Sequence, residues 1–290
     1  MGKVAVIADT TSQISTEIAE KYNIRLVSLY VHINGESFRE SEIDISWFCN
    51  NIPRWKEENR AITTSAPSVG DFLDAYRELR EKAEAVLAVC LSSKFSATFA
   101  AALEAKKIAE NETPQIPLEI VDTATVCGAQ MLVALEASRA ASAGKGLADL
   151  VDYANRIVKK VNYINLSSDV SYLAKCGRIH HARSFADSKI ASTLLMESSM
   201  ATGGEHKPIG RYRTRKQALE KLLEIVRERS KDKKLHVVIN HADSPGEAKQ
   251  LKENISKDFQ CLEVFICQSL PLVTYHEGLG NLKLSWWSED

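Results

Sequence analysis

Three apolar runs in the first half of this 290-residue chain end in short polar clusters able to hold an anion. Residues 4–8 lead into Asp9-Thr10-Thr11-Ser12, residues 85–91 into Ser92-Ser93-Lys94-Phe95-Ser96, and residues 118–121 into Asp122-Thr123. In open α/β sheets, ligands sit at the carboxyl ends of parallel strands. The helix after each cluster turns its free N–H groups, and the positive end of its dipole, toward the same rim. Ser96 stands just before Ala97 and Thr98, so its hydroxyl can cap a helix while its neighbours offer N–H groups to a ligand. Capping alone is the commoner use of a serine in such a place. Thr64 lies in the Ser/Thr-rich stretch 63–68, which reads as a polar loop ahead of a helix and carries the same two meanings. His276 lies in the stretch 274–280, read as a loop in which Gly278 and Gly280 permit tight turns. A lone loop histidine is more often a surface residue. Arg178 follows Gly177, where it either presents its guanidinium to an anion or sits in a solvated turn.

Several chemistries lack their signatures. There is no phosphate-cradling G-x-x-x-x-G-K-[ST], no dinucleotide G-x-G-x-x-G and no nucleophile-elbow G-x-S-x-G. Asp9, Asp44 and Asp122 are available carboxylates, but no diagnostic spacing pairs them. His180-His181 adjoin without further ligand spacing, and the six cysteines form no C-x-x-C pair, so no metal site is expected. Cys90, Cys261 and Cys267 fall in apolar runs and read as reduced core thiols. Lysine and arginine total 37 against 38 aspartate and glutamate, a net charge of -1, which gives no support to nucleic-acid or anionic-membrane binding. No apolar run approaches the ~20 residues of a membrane span. The first residues lead straight into an apolar strand without the features of a signal peptide, so the cytoplasm is the expected compartment.

The elements that must position these residues alternate in the first half. Strands are expected at 4–8, 26–33, 85–91 and 118–121. Helices are expected from the 9–12 cluster to about Tyr22, and over 69–82, 97–110 and 124–143. Asn34-Gly35 is a hairpin signal, because both residues tolerate positive φ. Residues 47–60 read as helix plus loop. The pattern predicts a parallel, Rossmann-like sheet covered by helices. The second half is a mixed α/β layer: helices at 147–158, 182–195, 214–229 and 245–257, and strands at 161–166, 235–240, 262–267 and 282–286. A strand pair, 197–201 with 207–213, is expected around Gly203-Gly204. The division is placed at 1–150 and 151–290, with the boundary somewhere in 146–160.

Taken in order, the polar segments resemble the DegV family of fatty-acid-binding proteins. They are Asp9-Thr10-Thr11, Thr64-Ser65-Ala66-Pro67-Ser68, Leu91-Ser92-Ser93-Lys94-Phe95-Ser96-Ala97-Thr98, Ile120-Val121-Asp122-Thr123, Leu173-Ala174-Lys175-Cys176-Gly177-Arg178-Ile179, Gly210-Arg211-Tyr212-Arg213-Thr214, His241-Ala242 and the segment around His276. Each is weak alone, and their order along nearly the whole chain makes the likeness specific. The resemblance implies a long-chain fatty acid held between the two domains. Thr64, Ser96, the backbone N–H of Ala97 and His276 would hold its carboxylate, and Arg178 would stand near the mouth, where a phosphate could be held. It implies no cofactor and no catalysis by this chain, with the acid presented to a separate fatty acid kinase for lipid metabolism. Departures are Cys176-Gly177 for the family's paired glycines, Ala97 for a glycine, and Glu277-Gly278-Leu279-Gly280 after the histidine. Glu277 adds a negative charge beside the proposed anion site, which counts against delivery to a kinase. The competing reading is a phosphotransferase-like enzyme acting on a small hydroxylated substrate, which the missing nucleotide motifs disfavour.

Overall fold

A computed structural model describes residues 4–112, 115–167 and 193–289. The first half builds a four-stranded parallel sheet in the order β2-β1-β6-β7, from Val4–Asp9 (β1), Ile24–Val27 (β2), Ala85–Cys90 (β6) and Leu118–Asp122 (β7). β1 and β6 are buried along their whole length, as their continuous apolar runs require of central strands covered on both faces. This is the Rossmann-like layer expected from the alternation of elements. Three helices alternate with its strands: Thr16–Lys21 (α1), Val69–Arg80 (α3) and Thr98–Ala109 (α4).

The run 26–33 is not one strand. Its start belongs to β2, and its end, Tyr30–Ile33 (β3), joins a separate antiparallel sheet in the order β4-β3-β5 with Glu36–Arg39 (β4) and Ile62–Ser65 (β5). The break falls at Ser28-Leu29, where the Leu29 N–H leaves the ladder and donates to Thr10 Oγ1 at 3.1 Å. β3 and β4 are joined by the expected hairpin turn, with Asn34 at φ 56° and Gly35 at φ 85°. β5 corrects a second expectation. Thr64, placed by its polar neighbours in a loop, sits on a strand and pairs in register with Val31. Residues 47–60 form most of one helix, Ile45–Glu57 (α2), which Asp44 caps through the N–H of Trp47 at 2.6 Å.

The second half forms a six-stranded mixed sheet in the order β10-β9-β8-β13-β11-β12. Its strands are Asn162–Ser167 (β8), Thr193–Glu197 (β9), Lys207–Tyr212 (β10), Leu235–His241 (β11), Cys261–Gln268 (β12) and Leu282–Ser288 (β13). Only the β11–β12 pair is parallel. The helices are Arg215–Ser230 (α7), Pro245–Asp258 (α8) and Pro271–Glu277 (α9). Residues 193–195, assigned from sequence to the end of a helix, are strand instead; their β-branched and leucine side chains pair with β8 and β10. The rest of that expected helix lies outside the described residues. Of the strand pair expected at 197–201 and 207–213, the second strand is β10, but its partner β9 ends at Glu197 and residues 200–202 form a 3-10 turn that leads into Gly203.

The helix Cys127–Ser142 (α5) joins the parallel sheet to the six-stranded sheet. It is buried at all but two of its sixteen positions and packs against β1 on one side and β11 and β13 on the other. A helix clad on all sides has no polar face, which is why its sequence shows little amphipathic contrast. At its start, Gly128 lies so close to β11 that a Cβ would stand 2.7 Å from Val238 Cγ1, and its N–H donates to Asn240 Oδ1 at 2.9 Å. The helix Leu147–Val158 (α6) packs on α5, β6 and β7. One apolar core therefore runs from Val4 through α5 and α6 to Trp287. Among the described residues no helix is long and apolar enough to cross a membrane.

Candidate binding pocket

The rim of the parallel sheet is organised by a buried carboxylate. Asp9, at the end of β1, accepts from the Thr11 N–H at 3.0 Å, the Leu91 N–H at 2.9 Å and Gln130 Nε2 at 2.8 Å, and also from the Thr11 hydroxyl. Burial raises its pKa against those hydrogen bonds. Asp9 is thus spent on tying β1, β6 and α5 together. Asp122 is likewise local, accepting from the N–H groups of Ser93 and Ala124.

Helix α9 is held from both ends, at its start by the loop after β1 and by Glu40, and at its end by β5. The Leu270 N–H donates to Gln13 Oε1 at 2.5 Å, and the Leu272 N–H to Glu40 Oε2 at 3.1 Å. Glu40 is fully buried and accepts a second hydrogen bond from Thr10. At the other end of α9, His276 Nε2 meets Thr64 Oγ1 at 2.8 Å. His276 therefore stands in the last turn of a helix rather than in a loop; Pro271 at the first helical position and Gly278 after the last mark its limits.

Thr64, Ser96 and His276 line one pocket, with Thr11, Leu29, Leu91, Phe95, Val126, His206, Leu272, Val273 and Glu277 among the remaining wall. The free space between these atoms is ≈ 600 Å³, the mouth included. Ser96 Oγ accepts from the Thr98 N–H at 3.2 Å and lies 2.8 Å from Thr98 Oγ1. It closes the start of α4 from one residue before the cap, Ala97, whose own side chain makes no capping bond. Capping and ligand-facing are not exclusive here, since a hydroxyl has two lone pairs and a proton. Ala97 is exposed and is not among the pocket-lining residues. Arg178 lies outside the described residues.

The model of the DegV family, described as uncharacterised proteins, matches residues 3–289. The chain belongs to the DegV family. A DegV relative in Thermotoga maritima, named a fatty acid-binding protein, is 29% identical over 286 residues, covering 97% of this chain and 96% of its own. Among solved structures, a DegV lipid binding protein from Thermotoga maritima superposes with a TM-score of 0.87 at 27% identity, covering 99% of each chain. DegV of Bacillus subtilis, described as a fatty acid binding protein, superposes with a TM-score of 0.86 at 25% identity over 100% of both chains. The DegV fold expected from the ordered segments is thereby established for this chain.

Two DegV pocket features escaped sequence reasoning. The first is the setting of Glu277, expected to bring an uncompensated charge. It is buried and lies 2.6 Å from the ammonium of Lys283, which is 0% exposed, and it accepts from the Tyr163 hydroxyl at 3.1 Å. Its charge is met inside the fold, and burial together with Glu277 pushes the Tyr163 hydroxyl upward so that it stays protonated. The second is His206, which reaches the pocket from the connection between β9 and β10; nothing in its local sequence marks it. The apolar wall, too, is indistinguishable in sequence from ordinary core.

A third cluster lies elsewhere. Glu136, His236 and Glu263 bring three metal-ligating atoms within 4.8 Å of one another. Arg139 already fills that place, donating to both carboxylates at 2.6 Å. Against burial, which raises it, hydrogen bonds from His236 and Arg139 hold Glu263 down at about 2. The group is an ion-pair network joining α5 to β12. Of the cysteines, Cys49, Cys90, Cys127 and Cys267 are buried free thiols and Cys261 is partly buried, while Cys176 lies outside the described residues.

Proposed function

We propose that this chain binds a long-chain fatty acid, with the carboxylate at Thr64, Ser96 and His276 and the acyl chain along Leu29, Leu91, Val126, Leu272 and Val273. The observation that carries the reading is the 2.8 Å hydrogen bond between Thr64 and His276, residues 212 positions apart, on the wall of a largely apolar pocket. A carboxylate leaving water needs several donors. Two hydroxyls, an imidazole and, after a small local adjustment, the Ala97 N–H would supply them without a buried cation. The acyl chain would supply the affinity: about fifteen methylenes at ~0.8 kcal/mol each give roughly 12 kcal/mol before ordering costs. The relatives named for fatty acid or lipid binding support the same reading.

We further propose that the chain does no chemistry of its own and presents the acid to a separate kinase, with Arg178 near the mouth as a phosphate contact. The pairing of Glu277 with Lys283 removes the objection that its charge would repel a phosphorylated head group. Native mass spectrometry of the purified protein, followed by solvent extraction, tests the binding. A co-purifying long-chain acid is expected, whereas a sugar-like or phosphorylated small molecule in its place would overturn the reading. The kinase role is tested by incubating the loaded protein with ATP alone and then with a fatty acid kinase. Acyl-phosphate should form only in the second case.

A further inference from the structure

We infer that the pocket selects long-chain acids bearing a hydroxyl on one of the first carbons after the carboxyl group, and that His206 recognises that hydroxyl. The inference rests on the fatty-acid reading above and names the ligand class within it. His206 lines the same pocket as Thr64, Ser96 and His276 and is only 8% exposed. Its Nδ1 is buried and, among the described residues, has no hydrogen-bond partner. A buried ring nitrogen left unpaired is costly, and it calls for a partner such as a water or a polar group of a ligand. Burial pushes the imidazole down to about 4, so at neutral pH it is an uncharged donor and acceptor rather than a second cation.

The placement of His206 is built into the fold. Its ring stacks on Phe95 at 4.4 Å between centroids, with the Tyr163 ring at 5.8 Å. The segment leading to it is fastened to the rim of the parallel sheet: Ser92 Oγ donates to the Gly204 carbonyl at 2.7 Å, and Thr125 Oγ1 to the Ser198 carbonyl at 3.0 Å. Gly204 is required there, since at φ +78° a Cβ would stand 2.6 Å from Ser92 Oγ.

The same contacts set where along the ligand the imidazole acts. Phe95 directly precedes Ser96, and Glu277, whose charge bears on His206, directly follows His276. His206 is thereby tied to the chain neighbours of Ser96 and His276, which on the fatty-acid reading is the head-group end. An unbranched alkyl chain passing it offers nothing to a ring nitrogen. A hydroxyl near the carboxyl end offers both a donor and an acceptor. A site that hydrogen-bonds a hydroxyl discriminates strongly against the analogue lacking it.

The test is a binding series with delipidated protein: palmitate, 2-hydroxypalmitate, 3-hydroxypalmitate and 16-hydroxypalmitate, each titrated against wild type, His206→Leu and His206→Gln. One of the 2- or 3-hydroxy acids should bind wild type at least tenfold more tightly than palmitate, with no gain for the 16-hydroxy acid. His206→Leu should bring that ratio close to one, and His206→Gln, which keeps a donor and an acceptor, should restore part of it. Comparable affinities for palmitate and both near-end hydroxy acids in wild type would overturn the inference while leaving fatty-acid binding in place. So would a preference that survives in a folded His206→Leu. Failure of wild type to bind any of the four acids would sink the fatty-acid reading itself. The wild-type series decides the matter even if His206→Leu does not fold.

Discussion

At the scale of single residues, the pocket joins groups that each have an ordinary structural use. Ser96 bonds the first N–H of α4, and Thr64 lies in a strand ladder. Local sequence cannot separate these uses from ligand binding, and only their ordered recurrence singled the three residues out. Ser96→Ala should weaken palmitate binding by about 1 to 3 kcal/mol, as expected for removing one partner of a buried carboxylate. Unchanged affinity in calorimetric titration would exclude Ser96 from the site. Lys283 and Glu277 lie beyond sequence reasoning, because their meeting depends on the path of the short connection 278–281 between α9 and β13. Lys283→Met leaves the Glu277 carboxylate buried without its cation and should lower unfolding free energy by about 3 to 5 kcal/mol in urea denaturation. A loss under 1 kcal/mol would mean that the carboxylate finds water.

At the scale of elements, most strands and helices were legible because their periodicity reports which faces are buried. Sequence misread the places where tertiary partners override local composition. The run 26–33 is continuous in hydrophobicity but is divided between two sheets by the bonds of Leu29. The polar stretch 63–68 begins as a strand because β3 presents an open edge to it. The clamp on α9 predicts a pH response. Burial, offset in part by hydrogen bonds from Thr10 and Leu272, raises Glu40 from 4.5 to about 7. Its carboxyl thus keeps a proton in the fold at pH values where the unfolded chain has released it. The stability it contributes is full below pH 4.5 and is lost as pH rises through 7. Wild type should lose about 3 kcal/mol of unfolding free energy across that window from this group, and Glu40→Gln should remove most of the slope. Identical pH profiles for the two proteins would show that Glu40 ionises normally.

For the whole molecule, α5 matters more than the division of the chain into two halves. We propose that the boundary near residue 150 describes topology rather than independent folding, since the first core includes residues from β1 through to Trp287. Both sheets should therefore unfold in one transition, with calorimetric and van't Hoff enthalpies agreeing. Gly128→Ala, which forces a Cβ against Val238, should lower the midpoint for both sheets together, at a cost of about 1 to 3 kcal/mol. Two resolved transitions in that variant would mean that α5 does not couple them.

The makeup of the pocket wall also governs how binding responds to the medium. Among its described lining residues there is no lysine or arginine, and the nearby Lys283 is matched by Glu277. Under the proposed reading, a fatty acid carboxylate there would be met, among the described residues, by dipoles and not by a fixed counter-charge. Mobile ions weaken the attraction between net charges and have little purchase on short hydrogen bonds in a closed pocket. The affinity for palmitate should therefore change by less than about twofold between roughly 0.05 and 0.5 M sodium chloride. A steep decline would reveal a cation within reach of the head group, with Arg178 the first to replace. Insensitivity to salt would leave the occupancy of such a pocket unchanged through the shifting ionic conditions of a living cell.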